Sequence, residues 1–320
     1  NIEEYDTIFH LFGEQRMPSL LGILQFKTKK HVFVNSKQYP ACAMKPFLND
    51  SDFTELKVEP FDPLDTRDKI LQYLENEPRD GKVGFNLTGG TKLMYAGALS
   101  ACKKINATPF YFDINNDKLI FLNNFETKEI KPITSVETFI TLHSDNLFIS
   151  KQGYWSEISN IDIPDRQLLT NTLWKARSKI SKLYNSIVPY VNDRRKFSIQ
   201  KNHISIEFFT NYNVEITIEE KEFTFENWKD FPIYITGGWF EEYTYMQLKP
   251  LEDLGTIYDL RIGLEIGFKE KGKSNKPFRF DNLKNMFSDT YQELDITFTD
   301  GKKLYIVECK AGNIKSEYIM

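Results

Sequence analysis

Over its first ~145 residues the chain alternates short apolar runs with amphipathic segments. The runs "TIFHLF", "HVFVNS", "FTELKVE", "KVGFNL" and "TPFYFDI" read as strands, and "PSLLGILQFK", "DTRDKILQYLEN" and "TKLMYAGALSACKKI" between them read as helices. Val/Ile/Phe-rich runs separated by amphipathic segments predict βαβ units and a mainly parallel sheet. "DKLIFLNN" and "KEIKPI" then predict a closing hairpin. This first domain is expected over residues 1–147.

The rhythm changes at "SKQGYWSEISNIDIPDRQ", a polar stretch with Gly and Pro, so residues 148–166 are expected to form a linker. Beyond it Leu169, Leu173, Ala176, Ile180, Leu183 and Ile187 recur at helical spacing, predicting one helix over 167–187. A β-rich block follows, "HISIEFFTNYNVEITIEEKEFTF". After it come a helix entered through Gly237 and Gly238, the strand "YDLRIGLEIGF" and the hairpin "QELDITFTDGKKLYIVECKAG". Residues 167–320 therefore predict a second α/β unit with a mixed sheet, without internal repeats or low-complexity segments.

A length of 320 residues fits two domains with separate cores, and 41% hydrophobic with 27% charged residues is an ordinary globular balance. No apolar run approaches the roughly 18 residues of a membrane helix, and the start lacks a basic-then-apolar signal pattern, so a cytoplasmic protein is expected. Cys42, Cys102 and Cys309 are far apart and form no CxxC pair, which points to reduced thiols. His10, His31, His143 and His203 show no metal-binding spacing, so structural or solvated roles are expected.

A net charge of -4 excludes phosphate binding over the whole surface and leaves room for a local site. Residues 166–201 offer one: Arg166, Lys175, Arg177, Lys179, Lys182, Arg194, Arg195, Lys196 and Lys201 stand against Asp193 alone. Lys175, Lys179 and Lys182 fall on a stripe away from the apolar one and are the candidate nucleic-acid contacts. The alternative is an ordinary solvated helix face.

Two features carry candidate chemistry. The first is "NLTGGTKLM", where a strand gives way to a helix. Gly89 and Gly90 let a ligand approach the backbone, and the first helical N–H groups favour an anion or sugar-phosphate. Thr88, Thr91 and Lys92 add donors. Neither the Walker nor the dinucleotide glycine pattern is present. "FGEQRMPSLL" occupies the equivalent place after the first strand, so both turns can line one crevice at the carboxyl ends of the strands. Plain tight-turn glycines are the alternative.

"LTGGTKLM" after a first loop with "GEQ" resembles the CARF domain, the Rossmann-like sensor of cyclic oligoadenylates in type III CRISPR defence. The resemblance covers residues 7–145. It implies ligand-binding roles for Thr88, Gly89, Gly90, Thr91 and Lys92, and for Gly13, Gln15, Met17, Pro18 and Ser19 of the first loop. It also implies a dimer holding the cyclic ligand across its two-fold axis.

The second feature is the final hairpin. With Asp300 and Gly301 as a tight loop, cross-strand partners have numbers summing to 601, so Asp295 is expected opposite Ile306 and Glu293 opposite Glu308; a four-residue loop is expected to keep that register. Glu293, Asp295, Thr297, Leu304, Ile306, Glu308 and Lys310 then share one face. Leu294, Ile296, Phe298, Tyr305, Val307 and Cys309 share the other, the expected core face. Crowded carboxylates repel, and Mg²⁺ or Mn²⁺ relieves that repulsion because both prefer oxygen ligands. Phosphodiester hydrolysis is the reaction these groups suit. A solvent-facing edge hairpin with mixed charge is the alternative.

The spacing D-(x)12-E-x-K with an upstream acidic helix resembles the PD-(D/E)XK nuclease core, over residues 235–312. The resemblance implies catalytic roles for Asp295, Glu308, Lys310 and Glu241, with Glu242 as a substitute for the last. It implies metal ligation by Asp295, Glu308 and the Cys309 carbonyl. Such a core continues into a further helix and strand, so a longer polypeptide is expected at that end, and Asn1 suggests the same at the start. Sensor then nuclease in this order is similar to the cyclic-oligoadenylate-activated nucleases of type III CRISPR systems. That likeness implies a homodimer, cyclic tetra-adenylate as activator, Mn²⁺ or Mg²⁺ as cofactor, and cleavage of single-stranded DNA or RNA. The rival expectation is a non-catalytic, ligand-responsive regulator that binds nucleic acid through the basic helix.

Overall fold

Strands buried on both faces read as continuous apolar runs, and the first of them does: β1 (Glu4–Phe12) is buried from Thr7 to its end. The computed structural model describes residues 3–77, 81–144, 147–151, 161, 163–192, 196–201, 203–268 and 292–311. Contacts divide the chain into two units, Asn1–Ile133 with Glu137–Leu147, and Thr134–Val136 with Phe148–Met320.

In the first unit β1 is followed by α1 (Met17–Gln25), β2 (Lys27–Asn35), β3 (Asp52–Lys57), α2 (Pro63–Asn76), β4 (Val83–Asn86), α3 (Lys92–Lys104), β5 (Thr108–Asp113), β6 (Lys118–Phe121), β7 (Thr127–Glu129) and α4 (Val136–His143). The sheet order is β3-β2-β1-β4-β5-β6-β7. Its first five strands are parallel, and β6 and β7 close it as the expected antiparallel hairpin. Alternation sends Phe9, Leu11, Val32, Val34 and Phe85 to one face, where Ile70 of α2 and Met94, Ala98 and Ala101 of α3 complete a core. Strand order reverses between β1 and β4, and the loops after these two strands flank the crevice at that switch point.

The second unit opens with β8 (Leu147–Lys151), so the stretch expected as a linker contributes a strand and, at Pro164, the start of a helix. Residues 152–160 and 162 lie outside the described residues. The helix expected over 167–187 is three: α5 (Pro164–Lys175), α6 (Arg177–Ile180) and α7 (Tyr184–Asn192). At Ala176 ψ opens to 9° and its N–H reaches the carbonyls of Thr172 and Trp174, a tightened last turn. The apolar stripe survives these breaks, with Leu169, Leu173, Ala176, Ile180, Leu183 and Ile187 all in the core.

β9 (Phe197–Lys201), β10 (Ile204–Phe208), β11 (Val214–Ile218) and β12 (Lys221–Phe225) form an antiparallel sheet whose alternate Ile204, Ile206, Ile216 and Ile218 enter that core. A short helix α8 (Phe231–Ile233) and a π-turn over Tyr234–Gly238 lead into α9 (Trp239–Asp253). The last sheet has the order β15-β14-β13-β8, with β13 (Tyr258–Phe268), β14 (Gln292–Thr299) and β15 (Leu304–Val307) mutually antiparallel. Two separate sheets replace the one mixed sheet expected. Among the described residues no helix is long and apolar enough to cross a membrane.

Candidate functional site

The β14–β15 hairpin carries the carboxylates, and its register differs from expectation. Thr299 pairs with Leu304 and Thr297 with Ile306, so partner numbers sum to 603 and the loop is residues 300–303. The cause is Asp300, whose Oδ1 accepts from the N–H groups of Lys302 and Lys303, both at 2.8 Å, while Oδ2 accepts from the Tyr305 hydroxyl at 2.8 Å. Such a side-chain-capped turn, with Gly301 at φ +90°, needs the wider loop. A slip of two residues preserves the faces, since side chains alternate with period two. Continued one pair past Val307, the register puts Glu308 directly level with Asp295 instead of diagonal to it.

On the expected core side Leu294, Ile296 and Cys309 are buried, Val307 leans on the core, and Phe298 stacks on Tyr305 at 5.0 Å, but Tyr305 itself is exposed, against expectation, because it lies at the open turn end and bonds Asp300. The opposite face is closed near the turn, where Thr297 and Thr299 are fully buried, and becomes charged only at Asp295 and Glu293. Asp295 Oδ2 accepts from the main-chain N–H of Cys309 at 2.6 Å. The Cys309 thiol in turn lies 3.5 Å from Thr244 Oγ1 on α9 and is pushed up to about 11 by burial. Glu308 and Lys310, both half-exposed, form an ion pair. Hydrogen bonding to Glu308 and its charge hold the Lys310 ammonium above its usual range.

Glu241 reaches this group from α9. Burial first, then the charges of Asp295, Glu293 and Glu242, push its carboxyl up to about 8, while Lys310 opposes the shift. Asp295 is also raised, by burial and by Glu308, against the stabilising bond from Cys309. Glu241, Asp295, Glu293, Glu308 and Lys310 therefore feel one another electrostatically. Glu293 shared the predicted face but was not a predicted site residue; only the approach of α9 reveals its influence.

The neighbouring Glu242 is engaged elsewhere. It is fully buried and takes a bidentate bond from Arg166, whose Nε lies 3.2 and 3.1 Å from its two oxygens. Thr170 Oγ1 adds a contact at 3.4 Å and itself bonds the Tyr234 hydroxyl at 2.9 Å. The Arg166 guanidinium also lies 4.3 Å from the Trp228 ring. Arg166, counted by sequence among the surface cations, is thus a core residue that locks α5 to α9. Of the three candidate nucleic-acid lysines, Lys175 and Lys182 are exposed without an acidic partner among the described residues, whereas Lys179 bonds Glu219 at 2.5 Å.

Among the described residues no three His, Cys, Asp or Glu side chains converge as a metal-binding group. The expected set needs only two such side chains, Asp295 and Glu308, plus a main-chain carbonyl. All its donors are hard oxygens, and the upward shifts of Glu241 and Asp295 are a strain that a divalent cation relieves. The donor chemistry fits the cation.

The first unit presents the glycine turn as a linked pair of loops. Thr91 caps α3, accepting from Met94 N at 3.1 Å and donating to the Pro60 carbonyl. Gly89 is obligatory, because a Cβ there would lie 2.2 Å from the Leu11 carbonyl oxygen, and Gly90 has φ +72°. Gly13 of the first loop faces Gly90, its Cβ position 3.6 Å from the Gly90 backbone. Lys92 is exposed and unpaired among the described residues, and Gln15 is exposed. Met17 is half-buried, Pro18 is buried, and Ser19 is buried with its hydroxyl unpartnered among the described residues. The Thr88 hydroxyl is occupied: it donates to Asn86 Oδ1 at 2.8 Å and accepts from Phe112 N at 2.8 Å.

Sequence reasoning missed Asn86, the buried hub of these loops. Its Nδ2 donates to the Pro18 carbonyl at 2.8 Å, its Oδ1 also accepts from Thr88 N at 3.2 Å, and Nδ2 lies 3.3 Å from His10 Nδ1. His10 Nε2 is 2.9 Å from His31 Nδ1. Burial holds both imidazoles neutral, with His31 at about 4 and His10 well below the ordinary imidazole range, its shift reinforced by His31.

Residues 8–144 match the Card1 CARF domain family. The fold is similar to Can2 from Sulfobacillus thermosulfidooxidans, solved in complex with cyclic tetra-adenylate, with TM-score 0.67 and 17% identity over 97% of this chain and 81% of that one. It is also similar to the protein VC1899 from Vibrio cholerae, with TM-score 0.64 and 13% identity over 95% and 79% of the two chains. No curated protein matches the chain by sequence. At these identities the structural likeness concerns the fold.

Proposed function

We propose that this chain, in which residues 8–144 are a CARF domain, is a metal-dependent endonuclease switched on by a cyclic oligoadenylate in type III CRISPR defence. The observation that carries the catalytic half is the convergence of Glu241, Asp295, Glu308 and Lys310, in which the Glu241 and Asp295 carboxyls are pushed up by burial first and then by neighbouring carboxylates. Half-buried, raised carboxyls beside a lysine are costly in a structural sheet and useful at a phosphate. The sensor half rests on the CARF assignment and on Can2, a protein of similar fold that binds cyclic tetra-adenylate.

Asp295, Glu308 and the Cys309 carbonyl would hold the cation, Mg²⁺ or Mn²⁺, with Glu241 beside them. When bound, it supplies a water activated for attack and shields the phosphate charge. Lys310, ion-paired to Glu308 at rest, is placed to orient the attacking water and to stabilise charge developing on the phosphate. Cys309 N–H keeps the Asp295 carboxylate oriented. In the sensor, Lys92 and the main-chain N–H groups of Gly89, Gly90 and Thr91 at the start of α3 meet the ligand's phosphates, with Gly13, Gln15, Met17, Pro18 and Ser19 on the facing loop. Two copies of the chain enclose one cyclic tetra-adenylate. The ligand activates by binding the cleaving arrangement more tightly than the resting one.

The test is cleavage of labelled single- and double-stranded DNA and RNA by purified protein in Mn²⁺ or Mg²⁺, with and without cyclic tetra-adenylate. Cleavage only with metal and activator, lost in Glu308→Ala and Lys310→Ala, is expected. Equal cutting without the activator, or undiminished cutting by Glu308→Ala, overturns the reading.

A further inference from the structure

Helices α5 and α9 carry an aromatic stack that neither the catalytic group nor the ligand turn uses. The Trp174 indole lies parallel to the Tyr243 ring, with centroids 4.4 Å apart and planes 14° apart, and parallel to Phe240 at 5.7 Å and 6°. The Arg177 guanidinium sits 4.4 Å from the Trp174 ring, and its Nη1 donates to the Trp174 carbonyl at 3.0 Å. Trp174 and Phe240 lean on the hydrophobic core, but Tyr243 does not belong to it. Tyr243 is only partly buried, and its hydroxyl makes no hydrogen bond among the described residues.

Cations of α5 and its continuation lie close to Trp174 in the chain. Lys175 adjoins Trp174 in the chain, and with Arg177 and Lys182 it is exposed without an acidic partner among the described residues. Parallel aromatic planes flanked by cations without acidic partners among the described residues match the chemistry of an unpaired nucleotide, a flat base joined to a phosphate. A duplex does not satisfy this site, because its bases already stack on one another. The Arg166–Glu242 bond ties α5 to α9, so the rings are held in register before any ligand arrives, which lowers the entropy cost of binding.

We propose that Trp174 and Tyr243 form a stacking platform for unpaired bases of single-stranded nucleic acid, with Lys175, Arg177 and Lys182 taking its phosphates. Tyr243 lies two residues after Glu241 on α9 and on the far flank of the helix, about one helix diameter (~10–12 Å) away. The platform therefore grips nucleotides flanking the cleaved one. That last step rests on the nuclease reading; the binding itself does not.

The experiment uses the full chain carrying Glu308→Gln, so that nothing is cut, and fluorescence anisotropy with a labelled oligothymidylate, the same strand with abasic sites, and a duplex of equal length. Against this background Tyr243→Ala and Trp174→Ala are expected to weaken the single strand about 5- to 100-fold, as loss of one stacked base does. Tyr243→Phe keeps the parent affinity, duplex binding is unchanged, and abasic strands bind parent and Tyr243→Ala alike. Tryptophan emission is quenched by the intact strand only. Equal parent affinity for intact and abasic strands, or equal losses of single strand and duplex in Tyr243→Ala, overturns the platform. Should Trp174→Ala fail to fold, Tyr243→Ala at the outer end of the stack decides alone. Absence of cleavage by the unsubstituted chain with metal and activator would overturn the nuclease reading and leave these binding results standing.

Discussion

Replacing Asn86 by leucine keeps the side-chain volume and deletes the hub that joins the loop after β1 to the glycine turn after β4. Four contacts disappear: those to the Pro18 carbonyl, Thr88 N, Thr88 Oγ1 and His10 Nδ1. Thr88 is half-buried and retains the bond from Phe112 N, so water can recover part of its loss. The Pro18 carbonyl and His10 lie in buried residues and have no such recourse. Each abandoned buried polar group costs about 1–3 kcal/mol, and the added apolar burial returns roughly 1–2 kcal/mol. The net loss is about 2–4 kcal/mol for the first unit, which corresponds to roughly 6–12 °C in its melting temperature. Calorimetry of the full chain reads the melting temperature. Titration with cyclic tetra-adenylate reads the second consequence: with the loops no longer tied, affinity is expected to fall at least about tenfold, since the ligand must now order them itself. An unchanged melting temperature would refute the hydrogen-bond accounting. A destabilised variant that still binds the ligand as tightly as its parent would refute the coupling of Asn86 to the site.

Arg166→Met strands the buried Glu242 and is expected to cost about 3–5 kcal/mol in urea unfolding of the second unit, whereas Arg166→Met with Glu242→Leu recovers most of that loss. His10 and His31 are neutral in the fold with depressed pKa values, His31 at about 4, so the unfolded chain binds their protons first as pH falls. Stability of the first unit is therefore intact above the unfolded value near 6.5 and is lost on acidification towards pH 4, by up to about 1.4 kcal/mol per pH unit for each histidine. Unfolding at a series of pH values checks this, and His31→Gln flattens the slope. Asp300→Ala removes three bonds that hold the 300–303 loop, with an expected cost of about 1–3 kcal/mol, and lowers cleavage without touching the carboxylates by loosening the alignment of Asp295 with Glu308. Unaltered cleavage in that variant would separate turn from catalysis.

Local pattern decided which segments became strands and helices in the first unit, because their periodicity agrees with what each buries: Phe9 and Leu11 alternate into the core beneath α2 and α3. It also decided the faces of the last hairpin, since a slip of two residues leaves a period-two pattern intact. Register itself was out of reach, because it depends on the Asp300 carboxylate choosing the N–H groups of Lys302 and Lys303. The adjacent Glu241 and Glu242 are equivalent as letters. Their helix turns them about 100° apart, and only the arrival of Arg166 from a helix far away in the chain neutralises one and leaves the other against Asp295. Lys179 was likewise removed from the free cations by Glu219, forty residues further on. Backbone conformation and faces follow from neighbours in sequence, but whether a charge is spent or available follows from what burial brings opposite it, and only the tertiary structure decides that.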